Sequence, residues 1–314
     1  MINLAPKPTH SITITIDDDA VPLGETDLAI HELQAVAKEG IALAAGAAAI
    51  LLQIAHPMVG QGVADHSTFA SRTISRTQYT QMYIFTMIFG TPEEKAAMKA
   101  WVDRAHSRVK GEVPVPVPVQ GQGQSGERRK EAYDAMNPEL QLWVAATIYA
   151  SMVGMYEKVY GELPPLKAEL VYQAFACMGT SLQVPKEMWP ADRKAFKMYW
   201  DDMIANRLFV TPDARGVLEE LFHPKGLPLW ARPIAWVLLP IVRPLTIEQL
   251  PPNIRAGFGL KSTRSTRAIA GLFMSTVAVT YPLTPGFIRH WQKSYSLRLL
   301  RKRMKKRGGK LVKL

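Results

Sequence analysis

The sequence contains a single cysteine, Cys177, among 314 residues. One cysteine cannot form an internal disulfide, and it excludes zinc and iron–sulfur sites that need several thiolates. Cys177 lies in the apolar run AFACMGTSL, where no neighbouring charge favours a thiolate. We therefore expect a buried thiol without a catalytic role.

Acidic residues are missing from the C-terminal part of the chain. The last one is Glu248, and the net charge of +11 arises because the residues that follow carry only lysine and arginine. Basic residues mixed with leucines over 294–314 predict a solvated tail that can also meet an anionic membrane surface. We expect no nucleic-acid partner, because no known binding module is present and the basic residues are terminal rather than spread over a domain face.

Uninterrupted apolar runs are scarce as well. Residues 41–64 and 268–288 lack charged residues, but prolines interrupt both, and residues 227–245 contain two arginines and several prolines. These features favour core helices over membrane-spanning helices. The N-terminus has no basic-then-apolar leader. We therefore expect an intracellular protein, either cytoplasmic or peripherally membrane-associated.

Helical patterns dominate what is present. Thr91, Pro92 and Glu94 form a helix start that leads to Gly111, and Asn137 with Pro138 begins a second long helix over 137–161. Further helices are predicted over 28–40, 41–63, 164–179, 191–206 and 212–222. The run VPVPVPVQGQGQSGE (113–127) predicts a polyproline II connector, and no strand pair is predicted.

The predicted fold class is therefore all-α: a single bundle-like domain. Its parts are an extended N-terminal segment (1–27), a helical domain (28–292) and a basic C-terminal tail (293–314).

The segment LLQIAHPMVGQGVADHSTF contains His56, Asp65 and His66. Two imidazoles and a carboxylate can form the facial triad of a non-haem iron site. That arrangement requires the chain to fold back between positions 56 and 65. The alternative is ordinary hydrogen bonding at a turn and helix start. The other four histidines fall in predicted loops, tails or a surface position: His10, His31, His223 and His290.

His106 stands alone on a predicted helix, at the edge of an apolar face formed by Met98, Trp101, Val102, Ala105 and Val109. A lone histidine in such a place is typically a hydrogen-bonded structural residue. It also meets the requirement of a haem, which needs one protein nitrogen on its proximal side and an apolar slot between helices.

Seven segments, in order, resemble the oxygenase family that includes rubber oxygenase and the ER-bound oxygenase mpaB. They cover roughly residues 25–292: LLQIAHPMVGQGVADHSTF, SRTISRTQYTQMYIFTMIFGTPEE, WVDRAHSRVKG, YDAMNPELQLWVAAT, LQVPKEMWPADRKAFKMYWDDM, LPPNIRAGFGL and LTPGFIRHW.

The resemblance implies a globin-like helical fold that holds haem b, with His106 as proximal ligand. It also implies that Arg76 and Thr77 occupy the distal positions where rubber oxygenases place a basic residue and a threonine, with Arg72 one turn earlier. An arginine does not ligate iron as a lysine can, but it donates hydrogen bonds to bound dioxygen. Many relatives read WVHAT where this chain has WVAAT, so Ala145 replaces a histidine.

The implied reaction is oxygenation, or oxidative cleavage of a carbon–carbon double bond, in an apolar and possibly isoprenoid substrate. Dioxygen would be the second substrate. Two alternatives stay open from the residues alone. One is a non-haem metal enzyme using His56, Asp65 and His66, and the other is a non-enzymatic, membrane-associated helical protein that has kept the fold without the cofactor.

Overall fold

The computed structural model describes residues 26–66, 69–116, 128–224, 227 and 229–311. For residues 69–76 it describes the backbone alone. The predicted extended segment up to residue 25 lies outside this part. The first half contains α1 (Thr26–Ala37), a 3₁₀ helix (Gly40–Ala45), α2 (Gly46–Ile54), α3 (Pro57–His66), α4 (Phe69–Phe89), α5 (Pro92–His106), β1 (Lys110–Pro116) and β2 (Arg128–Asp134).

In the second half, every described element is a helix or a helical turn. It contains α6 (Pro138–Tyr160), α7 (Pro165–Phe175), α8 (Cys177–Thr180), a 3₁₀ turn (Lys186–Met188), α9 (Arg193–Asp202) with a π-helical end (Met203–Arg207), α10 (Pro212–Phe222), a 3₁₀ turn (Leu229–Ala231), α11 (Arg232–Gln249), α12 (Pro252–Gly257), α13 (Arg264–Thr280), α14 (Gly286–Arg289) and α15 (Trp291–Lys305). The predicted all-α class is confirmed.

Helix α6 lies at the centre of the fold. The predicted start is confirmed, because the Asn137 side chain accepts a hydrogen bond from the Glu139 amide and Pro138 occupies the first turn. Buried residues occur all around α6, as expected of a helix enclosed by others. The Trp143 indole donates to the Leu52 carbonyl at 3.1 Å, which ties α2 to this central helix.

The apolar stretch 41–63 is core, as predicted, but it is not one helix. A 3₁₀ helix, α2 and α3 follow each other, and the break between α2 and α3 lies at Ala55 and His56. Pro57 causes this break because it has no amide hydrogen to continue the ladder of α2. The Phe209 amide donates to the Ala55 carbonyl at 2.8 Å and so satisfies a group at the break.

The prediction of a polyproline connector was wrong for residues 113–116, and the helix predicted over 91–111 ends earlier, at His106, so that Lys110–Pro116 forms strand β1. Strand β1 pairs with β2 in an antiparallel hairpin, with Val113 opposite Glu131 and Pro114 opposite Lys130. In a two-stranded sheet each strand has an open edge, so a proline is tolerated where its missing N–H would point away from the partner. Val113 is buried and Pro114 is exposed, which is the alternation of a strand with one covered face. The remainder of the connector, 117–127, lies outside the described residues.

The expectation of a solvated basic tail was also wrong for most of that segment. Residues up to Lys305 continue as α15, which packs against α4. Leu297 and Leu300 are buried, and Arg301 forms an ion pair with Glu94 at 2.7 Å. The leucines that suggested contact with lipid therefore belong to the core. Leucines at helical spacing form one apolar face of α15, and the protein core covers this face.

Two other apolar stretches were expected in the core and are only partly buried. Helix α11 (from 227–245) is buried at its C-terminal end, Pro244–Gln249, and exposes large apolar residues along its first turns. Helix α13 (from 268–288) buries Ala270 and Met274 on one side and exposes large apolar residues on the other. Within the described part of the chain, no single helix combines the length and apolar character needed to cross a membrane. The helices Asp27–Ala37 and Gly40–Ile54 are together long and apolar enough, but the chain bends by 67° between them.

Candidate functional site

Helices α4 and α5 form a pair joined by the short link Gly90–Thr91. The predicted capping box is confirmed, because the Thr91 hydroxyl accepts from the Glu94 amide while a Glu94 carboxylate oxygen accepts from the Thr91 amide at 3.0 Å. Further along, the rings of Tyr79 and Trp101 stack with centroids 4.2 Å apart. The two helices therefore run side by side for about three turns from their link.

His106 is the last residue of α5 and is half-buried, and its Nδ1 atom is shielded from solvent. Its carbonyl accepts a hydrogen bond from the Val109 amide at 2.9 Å, which closes the turn after the helix. Met98 and Val102 of the predicted apolar face are buried, whereas Ala105 is exposed. The histidine thus lies at the margin of the core, as its position in the helical pattern predicted.

The distal candidates lie on the α4 side of the same pair. Thr77 is two residues before Tyr79, and His106 is five residues after Trp101. At a rise of about 1.5 Å per residue, Thr77 lies about 3 Å from Tyr79 along α4, and His106 lies about 7.5 Å from Trp101 along α5. Both are on the side of the stacked rings that is away from the link. The structure therefore brings the α4 turn of Arg76 and Thr77 towards the level of His106. Thr77 is exposed, and the side chains of Arg72 and Arg76 lie outside the described part.

Helix α3 approaches the end of α5 at Gly62. A Cβ atom at this position would lie 3.4 Å from a methyl group of Val109 and 3.4 Å from the ring of Tyr133. A Cβ atom there would make ordinary van der Waals contacts, so α3 packs closely against the β-hairpin and against the turn after His106.

The facial triad is not assembled. His56 precedes α3 and His66 ends it, so one straight helix separates them by about 14 Å instead of folding them together. No group of three histidine, cysteine, aspartate or glutamate side chains suited to a metal ion occurs among the residues that the structure describes. Pro57 and the two glycines that follow it lie within α3.

Asp65 and His66 instead hold the β-hairpin against α3. The Tyr133 hydroxyl donates to one Asp65 carboxylate oxygen at 2.6 Å, and the Gln61 amide donates to the other at 2.8 Å. The His66 Nε2 atom lies 3.2 Å from the Lys110 carbonyl. Burial, together with the neighbouring Asp65 carboxylate, raises the pKa of the Tyr133 hydroxyl, so it stays a hydrogen-bond donor.

His56 differs from these two histidines because it is largely enclosed. Burial, assisted by the positive charge of Arg207, lowers the pKa of its imidazole to about 4. Its Nδ1 atom is buried, and no residue in the described part of the chain forms a hydrogen bond with it. A neutral imidazole with an unused nitrogen is the form that binds metals.

The remaining sequence candidates are accounted for as follows. Burial raises the pKa of the Cys177 thiol to about 11, so the thiol stays protonated near neutral pH. His31 is exposed, as predicted. His290 was set aside as a loop residue, yet its Nε2 atom lies 3.1 Å from the buried Glu39 carboxylate, which Arg289 also contacts. Sequence spacing gave no sign of this pair, because it joins segments 250 residues apart.

The chain is similar to proteins of one known family. The model of the family described as ER-bound oxygenase mpaB/B'/Rubber oxygenase, catalytic domain, matches residues 33–279. Uncharacterized protein Mb2261 of Mycobacterium bovis and uncharacterized protein Rv2237 of Mycobacterium tuberculosis are each 31% identical to this chain over 273 residues, covering 85% of this chain and 98% of theirs. No solved structure matches the chain.

The depressed pKa of His56 predicts a pH-dependent stability. In the folded protein this imidazole takes up a proton only near pH 4, whereas in the unfolded chain it does so near 6.5. Between these values the unfolded state binds more protons, so the free energy of unfolding falls as the pH decreases through this range, by about 2 kcal/mol between pH 7 and pH 5. Above pH 6.5 the group has no such effect.

Urea unfolding of wild type and His56→Gln at pH 7 and pH 5 measures this loss. We expect the free energy of unfolding to fall less between pH 7 and pH 5 in His56→Gln than in wild type. In His66→Gln, which changes an exposed histidine, it should fall as much as in wild type. Equal decreases for wild type and His56→Gln would show that His56 does not titrate as described.

Proposed function

Since the chain belongs to the family of the ER-bound oxygenase mpaB and rubber oxygenase catalytic domains, which points to an oxygenase, we propose that it is a haem b-dependent oxygenase whose iron is held by His106. The proposed substrate is apolar, possibly an isoprenoid alkene, and the reaction is its oxygenation or the oxidative cleavage of a carbon–carbon double bond. Dioxygen is the proposed second substrate.

The observation that supports this proposal most is the position of His106. Its imidazole, with a buried Nδ1 atom, lies at the end of α5, and α3 packs against the turn that follows. Haem b needs one imidazole and apolar walls rather than a set of three polar ligands. The described residues fit that requirement, because they offer isolated histidines and no three-residue metal cluster.

Within this proposal each residue has a limited task. When bound, haem supplies an iron centre that binds and activates dioxygen. His106 would supply the protein nitrogen that holds the iron, and the end of α5 would fix its position. Arg76 would offer N–H groups as hydrogen-bond donors, and the Thr77 hydroxyl could donate or accept a proton. Buried apolar residues behind them, such as Met82 and Met98, exclude water.

Ala145 sets this chain apart within the proposed mechanism. It lies on α6 and is buried in the core, at the position where many relatives carry a histidine. A methyl group has no proton to give, so no acid–base step can be assigned to this position. The proposed proton donors are therefore on α4, not on the central helix.

The axial assignment predicts the absorption spectrum of the purified protein. Wild type from haem-replete cells should show the Soret band of a histidine-ligated haem b, and His106→Ala should lose most of it because the iron loses its protein nitrogen. His31→Ala is the matched control, since that histidine is exposed on α1, and it should keep the band.

His56→Ala distinguishes the two enclosed histidines in the same experiment. A band lost in His56→Ala and retained in His106→Ala would reverse the axial assignment. A colourless wild type that takes up no added haemin would contradict the haem proposal. Metal analysis would then separate a non-haem iron protein, with ligands other than the triad, from a helical protein without a cofactor.

The distal assignment predicts a loss of turnover without a loss of haem. Arg76→Leu should lower the rate of alkene-dependent oxygen consumption by about 10²-fold, because a donor to developing charge is removed. Thr77→Val should have a smaller effect, and Arg72→Leu, one turn away, a smaller one still. Arg108→Leu, an exposed residue after α5, serves as the control. Unchanged rates in Arg76→Leu with full haem content would exclude Arg76 from the reaction.

A further inference from the structure

Helices α11 and α13 form an antiparallel pair on one side of the domain. The Glu248 carboxylate at the end of α11 accepts hydrogen bonds from Ser262 and Thr266 at the start of α13. One turn back along α11, Leu245 packs in a cluster with Ala270 and Met274. The beginning of α11 consequently lies towards the far end of α13, where the chain turns into α14.

The outer face of this pair is apolar and uncovered. Trp236 on α11 is 81% exposed, Leu272 on α13 is 72% exposed, and Phe287 on α14 is 78% exposed. Further large apolar side chains are exposed on the same elements and their links: Leu229, Ile234, Val237, Leu238, Ile269, Val279 and Leu283. We call these residues together the apolar face.

The exposed positions on α13 form one stripe. Ile269, Leu272 and Val279 are separated by three and seven residues, which places them on one side of a helix. Ala270 and Met274 occupy the opposite side and are buried. The helix is thus apolar towards both the core and the solvent. Soluble monomers rarely expose contiguous apolar patches larger than a few hundred Å², and larger ones mark contact surfaces.

The exposed charges on the elements that carry the apolar face all have one sign. Arg232 and Arg243 on α11, and Lys261, Arg264 and Arg267 around the start of α13, are exposed. From residue 227 onwards the sequence contains one acidic residue, Glu248, and it is buried beside Arg255. Exposed apolar side chains next to an exclusively basic rim are typical of a surface that meets anionic lipid.

We propose that the apolar face docks on an anionic lipid surface. Trp236, Leu272 and Phe287 enter the acyl-chain boundary, while Arg264 and Arg267 contact the anionic head groups. The α11–α13 pair lies on the membrane in this arrangement, because the end of α11 and the inner side of α13 are fixed in the core. The site differs from the basic segment 294–314, in which Leu297 and Leu300 of α15 are buried.

Charge favours lipid over a second copy of this chain. A two-fold symmetric dimer through the apolar face would place the same basic rim on both sides of the interface. Arg264 and Arg267 of one copy would then face positive charges without an acidic partner from these elements. A lipid surface supplies the negative charge that this rim lacks. The proposal does not depend on haem, so the two can fail separately.

Co-sedimentation of the full-length protein with phosphatidylcholine vesicles, with and without phosphatidylserine, tests the docking surface. Wild type should bind the vesicles that contain phosphatidylserine. The triple variant Trp236→Ser, Leu272→Ser, Phe287→Ser should lose at least roughly tenfold in binding, because three large apolar groups no longer leave water. The matched control is Met198→Ser with Leu166→Ser, which removes exposed apolar residues from α9 and α7 and should bind like wild type.

A second pair of variants separates this rim from the basic end of the chain. Arg264→Glu with Arg267→Glu should lower binding at least roughly tenfold, and Lys302→Glu with Lys305→Glu on α15 should lower it less. Thermal unfolding checks that every variant is folded. The proposal is overturned if wild type does not bind anionic vesicles, or if the α15 substitutions alone lower binding. It is also overturned if wild type is a dimer and the triple substitution converts it to a monomer without changing vesicle binding.

Discussion

The enclosure of α6 is the constraint on which the rest of the structure depends. A helix buried on all sides must satisfy every polar side chain internally, and each bond it makes fixes a neighbour. The Trp143 indole holds α2 through the Leu52 carbonyl, and the Thr147 hydroxyl accepts from Gln53 at 2.9 Å. These two contacts set the position of α2, and α3 begins directly after it. The approach of α3 to the end of α5, where His106 lies, follows from this order.

Buried carboxylates explain much of the charge asymmetry. Glu39, Glu94 and Glu248 are all buried, and each is paired with an arginine from the C-terminal part of the chain: Arg289, Arg301 and Arg255. The Arg301 guanidinium, through its hydrogen bond, lowers the pKa of Glu94. An unpaired charge in these positions would be costly, so the basic segment closes the fold over acidic residues from earlier in the chain. Part of the positive charge thus has a structural role, and the α13 rim remains exposed.

Local signals in the sequence predicted the helices well, because capping residues and prolines act over a few positions. Thr91 with Glu94, and Asn137 with Pro138, start helices where expected. Long-range packing was not predictable in the same way. Nothing within residues 110–116 reveals that a second strand pairs with them twenty residues later, and the leucines of α15 did not indicate whether protein or lipid would cover them. The exposed side of α13 likewise follows from which neighbours the core provides.

For the candidate site, the sequence placed His106 on a helix edge but did not show what lies beside it. The resemblance implied that Arg76 and Thr77 face this histidine, and the link of α4 to α5 puts their turn and His106 at the same end of the helix pair. The facial triad was one of two interpretations, and it is not formed because helix α3 separates His56 from His66. The other interpretation, hydrogen bonding by Asp65 and His66, is confirmed. His56, considered there only as a triad member, proved to be an enclosed neutral imidazole by itself.

The haem content of the purified wild-type protein tests the central claim most directly. The pyridine haemochrome spectrum of a weighed sample, read together with total iron, counts haem b and iron per chain. The account predicts that each chain binds a single haem b and that all of its iron belongs to that haem. Iron without porphyrin, or neither after incubation with haemin, would contradict it.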